Sequence, residues 1–341
     1  MLDIFSYTQD EYSTKIYALL GKGKQHAARL YRQWFQERQL APETWAEPQA
    51  RAIVQAIVDQ TDFSYPPISH RKEEGKTAKF LLRLSDGLES ESVVIPMKNG
   101  MTLCLSSQIG CQRGCTFCET GRMGLLRNLS VKEIVAQVFA APKEVRNIVF
   151  MGMGEPLDNF DGVLQAIRIL TQSMGFGPRR ITVSTSGVVP GIYRLIQEAD
   201  PAINLAISIN APQDGIRNKI MPINRRWKME ELKQAMSAYC AHPRRQILIE
   251  YVLLHGINDT PEDADTLANY LAGLKVKINL IPYNAQSCHR FLPPPLETQE
   301  VFKQRLRSKG YRVLLRHHKG RQIMAACGQL GNLEIKSRKS L

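Results

Sequence analysis

The chain has 341 residues, 43% of them apolar and 23% charged, a length for about two domains and a composition that excludes disordered and collagen-like classes. No apolar run approaches the ~20 residues of a membrane span, and Met1-Leu2-Asp3-Ile4-Phe5 lacks the basic flank and long apolar core of a secretory signal, so a cytoplasmic protein is expected. Lys and Arg (45) outnumber Asp and Glu (32), for a net charge of +13, which suits a polyanionic partner.

Residues 1–70 read as helical. Ala27, Leu30, Tyr31 and Trp34 recur at i, i+3, i+4 and i+7 on one amphipathic face, and a second helix is expected from Pro48 to Gln60 before Ser64-Tyr65-Pro66-Pro67 breaks the pattern. Ala78–Leu84 and Ser90–Ile95, joined at Ser85-Asp86-Gly87, read as a β-hairpin. From residue 101 apolar runs alternate with helix-period segments. The runs are Met101–Leu105, Asn147–Met151, Ile181–Ser184, Ile203–Ile209, Ile247–Leu254 and Val276–Ile281; the helical segments fall near 131–141, 161–173, 190–199, 229–241 and 261–272. Such alternation predicts an α/β fold with a parallel sheet, and right-handed crossovers would curl six strands into an open, partial (β/α)6 barrel. In barrels, chemistry collects where the strands end. Polar or Gly-rich segments follow five of the six strands: a cysteine cluster, Gly152-Met153-Gly154-Glu155, Ser184-Thr185-Ser186-Gly187, Ser208-Ile209-Asn210 and Pro282-Tyr283-Asn284.

Residues 302–341 hold eleven Lys or Arg, among them Arg305, Lys309, Arg316, Lys319 and Arg321, against the single acid Glu334. They form either a solvated basic face or a surface that tracks phosphates. The seven cysteines are Cys104, Cys111, Cys115, Cys118, Cys240, Cys288 and Cys327, an odd number that argues against a disulfide framework. Cys240 falls within a predicted helix and belongs to its core; Cys288 beside His289 has no evident role; His317-His318 joins the basic surface.

Cys111, Cys115 and Cys118 form C-x3-C-x2-C. Three thiolates on one short loop suit three corners of an iron–sulfur cube with the fourth iron open; a structural zinc site wants four ligands, and no second cysteine pair completes the set. This spacing after the first strand of a partial barrel resembles the radical S-adenosylmethionine superfamily. Longer stretches resemble the RlmN/Cfr family of RNA adenine methyltransferases: Cys104-Leu105-Ser106-Ser107-Gln108-Ile109-Gly110-Cys111, Met151-Gly152-Met153-Gly154-Glu155-Pro156-Leu157, Ser184-Thr185-Ser186-Gly187-Val188-Val189-Pro190, Met221-Pro222-Ile223-Asn224, Ile278-Asn279-Leu280-Ile281-Pro282-Tyr283-Asn284 and Ala325-Ala326-Cys327-Gly328-Gln329-Leu330. The resemblance covers roughly residues 80–332.

The resemblance implies a 4Fe–4S cluster on Cys111, Cys115 and Cys118 whose open iron chelates S-adenosylmethionine. Gly154 and Glu155 match the segment that holds its methionine end, and Ser184, Ser208, Ile209, Asn210 and Asn284 match other cofactor-contacting positions. Carbons 2 and 8 of adenine are poor nucleophiles, so direct displacement on a sulfonium methyl should fail there. In the family, a cysteine matched by Cys327 first takes the methyl as a thiolate. A 5′-deoxyadenosyl radical then abstracts hydrogen from that S-methyl, and the carbon radical adds to the ring. A base matched by Glu91 takes the ring proton, and a cysteine matched by Cys104 releases the product, leaving a transient Cys104–Cys327 disulfide. The implied partners are RNA (23S rRNA and tRNA) and an electron donor such as flavodoxin or ferredoxin, with no membrane. The implied domains are a helical RNA-contacting segment 1–75, a β-hairpin extension 76–100, the radical S-adenosylmethionine partial barrel 101–316 and a basic tail 317–341 carrying the methyl acceptor.

Three departures stand out. Asn210 replaces the usual His, Glu119 replaces the usual Ala after the third cluster cysteine, and Ala285–Pro295 is shorter than the family's loop. Rim loops set substrate choice, so the sequence leaves open carbon 2, carbon 8, or an RNA-binding protein with a structural metal.

Overall fold

The computed structural model describes residues 1–97, 100–200, 202–284, 290–316, 320 and 322–331. Three helices open the chain: α1 (Gln9–Leu20), α2 (Lys24–Glu37) and α3 (Arg51–Asp59). A capping box starts α1, with Thr8 Oγ1 accepting from the Glu11 amide and the Glu11 carboxylate from the Thr8 amide. Two short strands, β1 (Leu2–Asp3) and β2 (Thr61–Asp62), pair in parallel and tie the ends of this unit. The expected amphipathic face holds: Ala27, Leu30 and Tyr31 are fully buried. Trp34 stacks on Phe139 of the barrel at 5.1 Å, and Arg38 Nη1 donates to the Ala141 carbonyl at 2.5 Å. The helical unit is therefore packed onto the barrel.

An antiparallel meander follows: β3 (Ile68–Glu74), β4 (Thr77–Arg83) and β5 (Glu89–Met97). The expected hairpin is β4–β5. The preceding β3 carries no apolar alternation because it is an exposed edge strand, with Ser-His-Arg-Lys-Glu-Glu after its one isoleucine. β6 (Gly100–Cys104) runs antiparallel to β5 and parallel to β9 (Val145–Phe150), so meander and barrel form one sheet. Between them lie β7 (Gln108–Cys111), α4 (Glu119–Met123) and β8 (Gly124–Asn128); β7 and β8 form a separate two-stranded ribbon.

The barrel then alternates through α5 (Val131–Ala140), β9, α6 (Phe160–Gln172), β10 (Ile181–Thr185), α7 (Val189–Glu198), β11 (Asn204–Ser208), α8 (Asp214–Ile220), α9 (Met229–Cys240), β12 (Ile247–Leu253), α10 (Pro261–Leu271), β13 (Val276–Pro282), α11 (Leu296–Ser308) and β14 (Val313–Leu315). The ten-stranded order is β14-β13-β12-β11-β10-β9-β6-β5-β4-β3. All six expected parallel strands are present in sequence order, and β14 adds a seventh beside β13. Its three residues are too short to carry a periodic signal. The sheet stays an open, partial barrel, and the segment after β14 returns across its mouth to the meander. There the Gln322 amide donates to Glu74 at 2.8 Å and Lys79 Nζ to the Met324 carbonyl at 3.1 Å.

The basic C-terminal region is only partly a free surface. Arg305 and Lys309 both pair with Asp265, and Lys303 pairs with Glu300. The tail positions Lys319, Arg321 and 332–341, with His317 and His318, lie outside the described residues. Among the described residues no helix is long and apolar enough to cross a membrane.

Candidate active site

The three cysteines of the motif come from three different backbone environments. Cys111 ends β7, Cys115 lies in the turn beyond it, and Cys118 is the N-cap residue of α4. The loop is fixed from outside itself: Arg113 forms an ion pair with Asp158, its Nε 2.6 Å from the carboxylate, and the Thr116 amide donates to the Ile220 carbonyl at 3.0 Å. Gly110, at φ +75°, admits no side chain, since a Cβ there would meet the Gly124 carbonyl oxygen of the facing strand at 1.8 Å. All three thiols line one open pocket of about 980 Å3 at the strand C-terminal ends.

Burial pushes all three thiols up, Cys115 to about 12, so ionising them calls for a cation in the pocket. Among the described residues no three His, Cys, Asp or Glu converge on a point where one metal ion is held. Three soft donors lining one pocket are the donor set that would hold an iron–sulfur cluster. Glu119 is buried and pairs with Arg122 at 3.1 Å, so the charge that departs from the family pattern is balanced within α4.

Gly154, Glu155, Ser184, Ser208 and Asn284 line the same pocket. Gly154 has φ +99°, and a Cβ would lie 2.5 Å from Gln108 Cβ; only glycine lets this turn reach the pocket. Gly154→Ala is expected to weaken S-adenosylmethionine binding at least about ten-fold, roughly 1.4 kcal/mol, measured by equilibrium dialysis on cluster-loaded protein. The Glu155 carboxylate accepts from the Ser186 amide (2.8 Å), Ser186 Oγ (2.7 Å) and the Leu157 amide (3.1 Å). Burial raises its pKa while these donors oppose the rise, leaving a fixed acceptor suited to an ammonium group.

Ile209 and Asn210 are not among the lining residues. Ile209 is fully buried in the core. Asn210, at φ +56°, spends its side chain on the fold: Oδ1 accepts from the Val252 amide at 2.7 Å and Nδ2 donates to Met221 Sδ at 3.1 Å. A nearby residue that the sequence did not single out is Arg217. Buried to 1% exposure, it donates to the carbonyls of Ser186 (2.6 Å), Ile209 (3.0 Å) and Ser208 (3.0 Å) and to Asn224 Oδ1 (3.0 Å). Burial brings its pKa down to about 10. One cation thus stitches the loops after β10 and β11. Arg217→Met should cost about 3 kcal/mol through orphaned buried acceptors, seen as a lower Tm by circular dichroism.

The C-terminal segment closes the pocket's remaining side. Gly328 accepts from the Glu119 amide (2.8 Å), Leu330 from Thr120 Oγ1 (2.5 Å) and Cys327 O from Asn284 Nδ2 (3.1 Å). Cys327 lines the pocket, and Arg316 Nη1 lies 3.3 Å from its Sγ. Cys104, buried at the end of β6, is pushed up to about 12 by burial and by the nearby Cys327, against the field of Arg316. The two thiols therefore share one electrostatic neighbourhood. Glu91, buried on β5, is outside the pocket lining; Lys79 Nζ sits 2.5 Å from one carboxylate oxygen and the Gly331 amide donates to the other at 3.1 Å. Lys79 and Arg316 gave no sequence signal as site residues, Arg316 counting there only as part of the basic run. Cys240 packs in the core of α9. Cys288 and His289 lie outside the described residues.

A three-thiol loop at the C-terminal mouth of a partial parallel barrel defines a radical S-adenosylmethionine enzyme, and the Radical SAM superfamily matches residues 105–270. The chain is 54% identical to the probable dual-specificity RNA methyltransferase RlmN 1 of Protochlamydia amoebophila, over 99% of this chain and 96% of that protein. It is 42% identical to the dual-specificity RNA methyltransferase RlmN of Geobacter sulfurreducens, over 97% and 92%. A radical SAM methyltransferase from Sphaerobacter thermophilus has the same fold, with a TM-score of 0.90 at 35% identity over 96% of this chain and 99% of that one. The chain belongs to the RlmN/Cfr family of RNA methyltransferases, enzymes that use a 4Fe–4S cluster and S-adenosylmethionine.

Proposed function

We propose that this radical S-adenosylmethionine RNA methyltransferase methylates carbon 2 of an adenine in 23S rRNA, and of a tRNA adenine beside the anticodon, through an S-methylcysteine on Cys327. The observation that carries this reading is the second thiol pair: Cys327 lines the same pocket as the three-cysteine loop, and Cys104 lies within its electrostatic reach. A methyltransferase working by direct displacement has no use for either thiol.

Cys111, Cys115 and Cys118 would hold the cluster, which when bound would supply the electron for reductive cleavage of S-adenosylmethionine. Glu155 receives the ammonium of the methionine end, and Gly154, Ser184, Ser208 and Asn284 shape the walls. Cys327 takes the first methyl as a thiolate and presents it to the ring. Glu91, held by Lys79, takes the ring proton. Cys104 attacks the thioether sulfur, and the Cys104–Cys327 disulfide forms as product leaves. Ile209 and Asn210 act from behind the wall, by fixing the β11 loop that carries Ser208. Residues 1–75 and the basic C-terminal face meet the RNA, and a flavodoxin or ferredoxin of the cytoplasm delivers the electron.

Nucleoside mass spectrometry after reaction with 23S rRNA and tRNA transcripts tests the regiochemistry. 2-Methyladenosine in both supports the reading; 8-methyladenosine replaces it with carbon 8 chemistry; neither product overturns both. For the base, Lys79→Met removes the cation that holds the Glu91 carboxylate in place and is expected to slow RNA methylation about ten-fold, read as single-turnover product formation by nucleoside mass spectrometry. An unchanged rate removes Glu91 from that role.

A further inference from the structure

The three-cysteine loop has two sides, and the pocket uses one of them. The other side is backed by the turn Pro222–Arg225 and the residues around it, between α8 and α9. Three contacts join the two segments. The Thr116 amide donates to the Ile220 carbonyl at 3.0 Å, a Cβ on Gly114 would lie 3.9 Å from Pro222 Cγ, and the Arg113 guanidinium lies 5.7 Å from the centre of the Trp227 ring. None of residues 222–228 lines the pocket. Outward, the segment presents Lys219, Arg225, Arg226 and Lys228, all exposed and none in an ion pair among the described residues. We infer that this face is where the electron donor docks: an acidic carrier protein whose reduced flavin or iron–sulfur centre comes against the back of the loop that would hold the cluster. The inference rests on the proposed delivery of the electron by such a carrier.

Position comes first. On its pocket side the loop faces the residues proposed for S-adenosylmethionine and the C-terminal strap that carries Cys327, so a protein partner that acts during turnover approaches from the other side. That side is rigid. Asn224 Oδ1 accepts from the buried Arg217, Asn224 Nδ2 donates to Asp214 and Asn218, and the Arg226 and Trp227 amides both donate to the Ile223 carbonyl. A preformed face docks a partner without an ordering cost. Charge then sets the class of partner. On α7 and α11, Arg194 pairs with Asp161 and Glu198, and Arg305 and Lys309 pair with Asp265; the four cations here have no such acid. The carboxylates nearby are turned to other work: Asp214 accepts from Asn224 and the Met229 amide, Glu231 from the Lys228 amide, and Glu230 from Gln234. Unpaired cations attract a partner that carries carboxylates. The partly buried Trp227, with the Arg226 guanidinium 4.6 Å from its ring centre, adds the aromatic and arginine contact that interface centres favour. An RNA backbone also seeks cations, but RNA must present its adenine to the pocket, and this segment stands outside the lining. In the transfer the carrier's reduced centre loses one electron and the cluster on the three thiolates would gain it; no bond of the chain forms or breaks.

Charge reversal reads the contact directly and needs no turnover. Full-length, cluster-loaded protein is immobilised anaerobically, and binding of a purified flavodoxin and, separately, a purified ferredoxin is followed by biolayer interferometry at low and high salt. Wild type is expected to bind at least one of them, more weakly as salt rises. Arg225→Glu combined with Arg226→Glu should weaken that binding at least about ten-fold, mostly through slower association, and slow cluster reduction by the same carrier in stopped-flow absorbance to a similar degree. Reduction by photogenerated 5-deazariboflavin radical, which is uncharged and needs no docking, should be unchanged. Lys143→Glu combined with Arg146→Glu makes the same change in net charge where β9 begins, at the opposite end of the barrel, and should leave both carrier measurements near wild type. Wild type that binds neither carrier, a double variant that binds as wild type does, or an equal loss in the Lys143→Glu, Arg146→Glu protein overturns the inference. So does a loss confined to 23S rRNA binding in a gel shift, which would give the face to RNA. If charge reversal prevents folding, Arg225→Gln with Arg226→Gln decides it, with a smaller loss in the same direction. The underlying reading fails separately, through a carrier that docks in this charge-dependent way yet leaves the wild-type cluster oxidised.

Discussion

Cys104→Ala is expected to yield a protein that stops after one event with RNA covalently attached through Cys327. The argument starts from position. Cys104 is the last residue of β6, paired with Val93 on one side and Val149 on the other, and trimming its thiol to a methyl costs about 1 kcal/mol of packing, so the fold survives. What is lost is the thiol on which the Cys327 charge acts. Cys240 packs in α9, hydrogen-bonded to the Lys275 carbonyl at 3.7 Å, and cannot substitute. With no second sulfur to attack the thioether, the carbon bridge between Cys327 and the ring remains. Denaturing gels should show labelled RNA migrating with protein, at most one RNA per chain, and nuclease digestion followed by peptide mapping should place the adduct on the Cys327 peptide. Cys327→Ala should give neither adduct nor methylated RNA. Free methylated RNA released by Cys104→Ala at the wild-type rate would remove Cys104 from this role.

The barrel was legible because its parallel strands are largely buried and read as mostly apolar runs; Ile247–Leu253, interrupted only by Glu250, and Val276–Pro282, interrupted by Lys277 and Asn279, are examples. The polar rim was legible for the complementary reason, since the chain turns polar where each strand leaves the core. The elements that escaped are those whose stability comes from neighbours. β3 is a charged edge, β14 has three residues, and the β7–β8 ribbon is built on a glycine and a bulge. The same distinction runs through the site. Motif spacing brought forward the cluster thiols, and the family resemblance Glu155 and Cys327, all of which line the pocket. The resemblance also brought forward Ile209 and Asn210, which sit behind it, because adjacency in a rim triplet does not say which side chains point inward. Arg217, Arg316 and Lys79 carry charge into the interior through contacts 11 to 245 residues distant in sequence, and no local pattern distinguishes such a cation from a solvated one.

Serine in place of any one of Cys111, Cys115 or Cys118 is expected to lower iron from about four per chain to near none after anaerobic reconstitution, with loss of the brown colour, while the fold persists. Both halves follow from how the loop is held. Its shape does not depend on metal: Arg113–Asp158 and the Thr116–Ile220 bond anchor it to neighbouring elements, and Thr120 and Glu119 bind it to the C-terminal strap. Thermal unfolding of the metal-free protein should therefore be nearly the same for wild type and variant. Metal capture, by contrast, requires ionised sulfur in a place where burial already pushes every thiol up. A serine hydroxyl does not ionise under these conditions and is too hard a donor to replace thiolate. Cys327 is bonded to Arg316 and Cys104 lies within β6, so neither can complete the set without pulling a strand or the strap away. Iron retained at the wild-type level in all three variants would show that the cluster is held elsewhere. Stoichiometric zinc with no iron in the wild type would return the chain to the structural-metal reading.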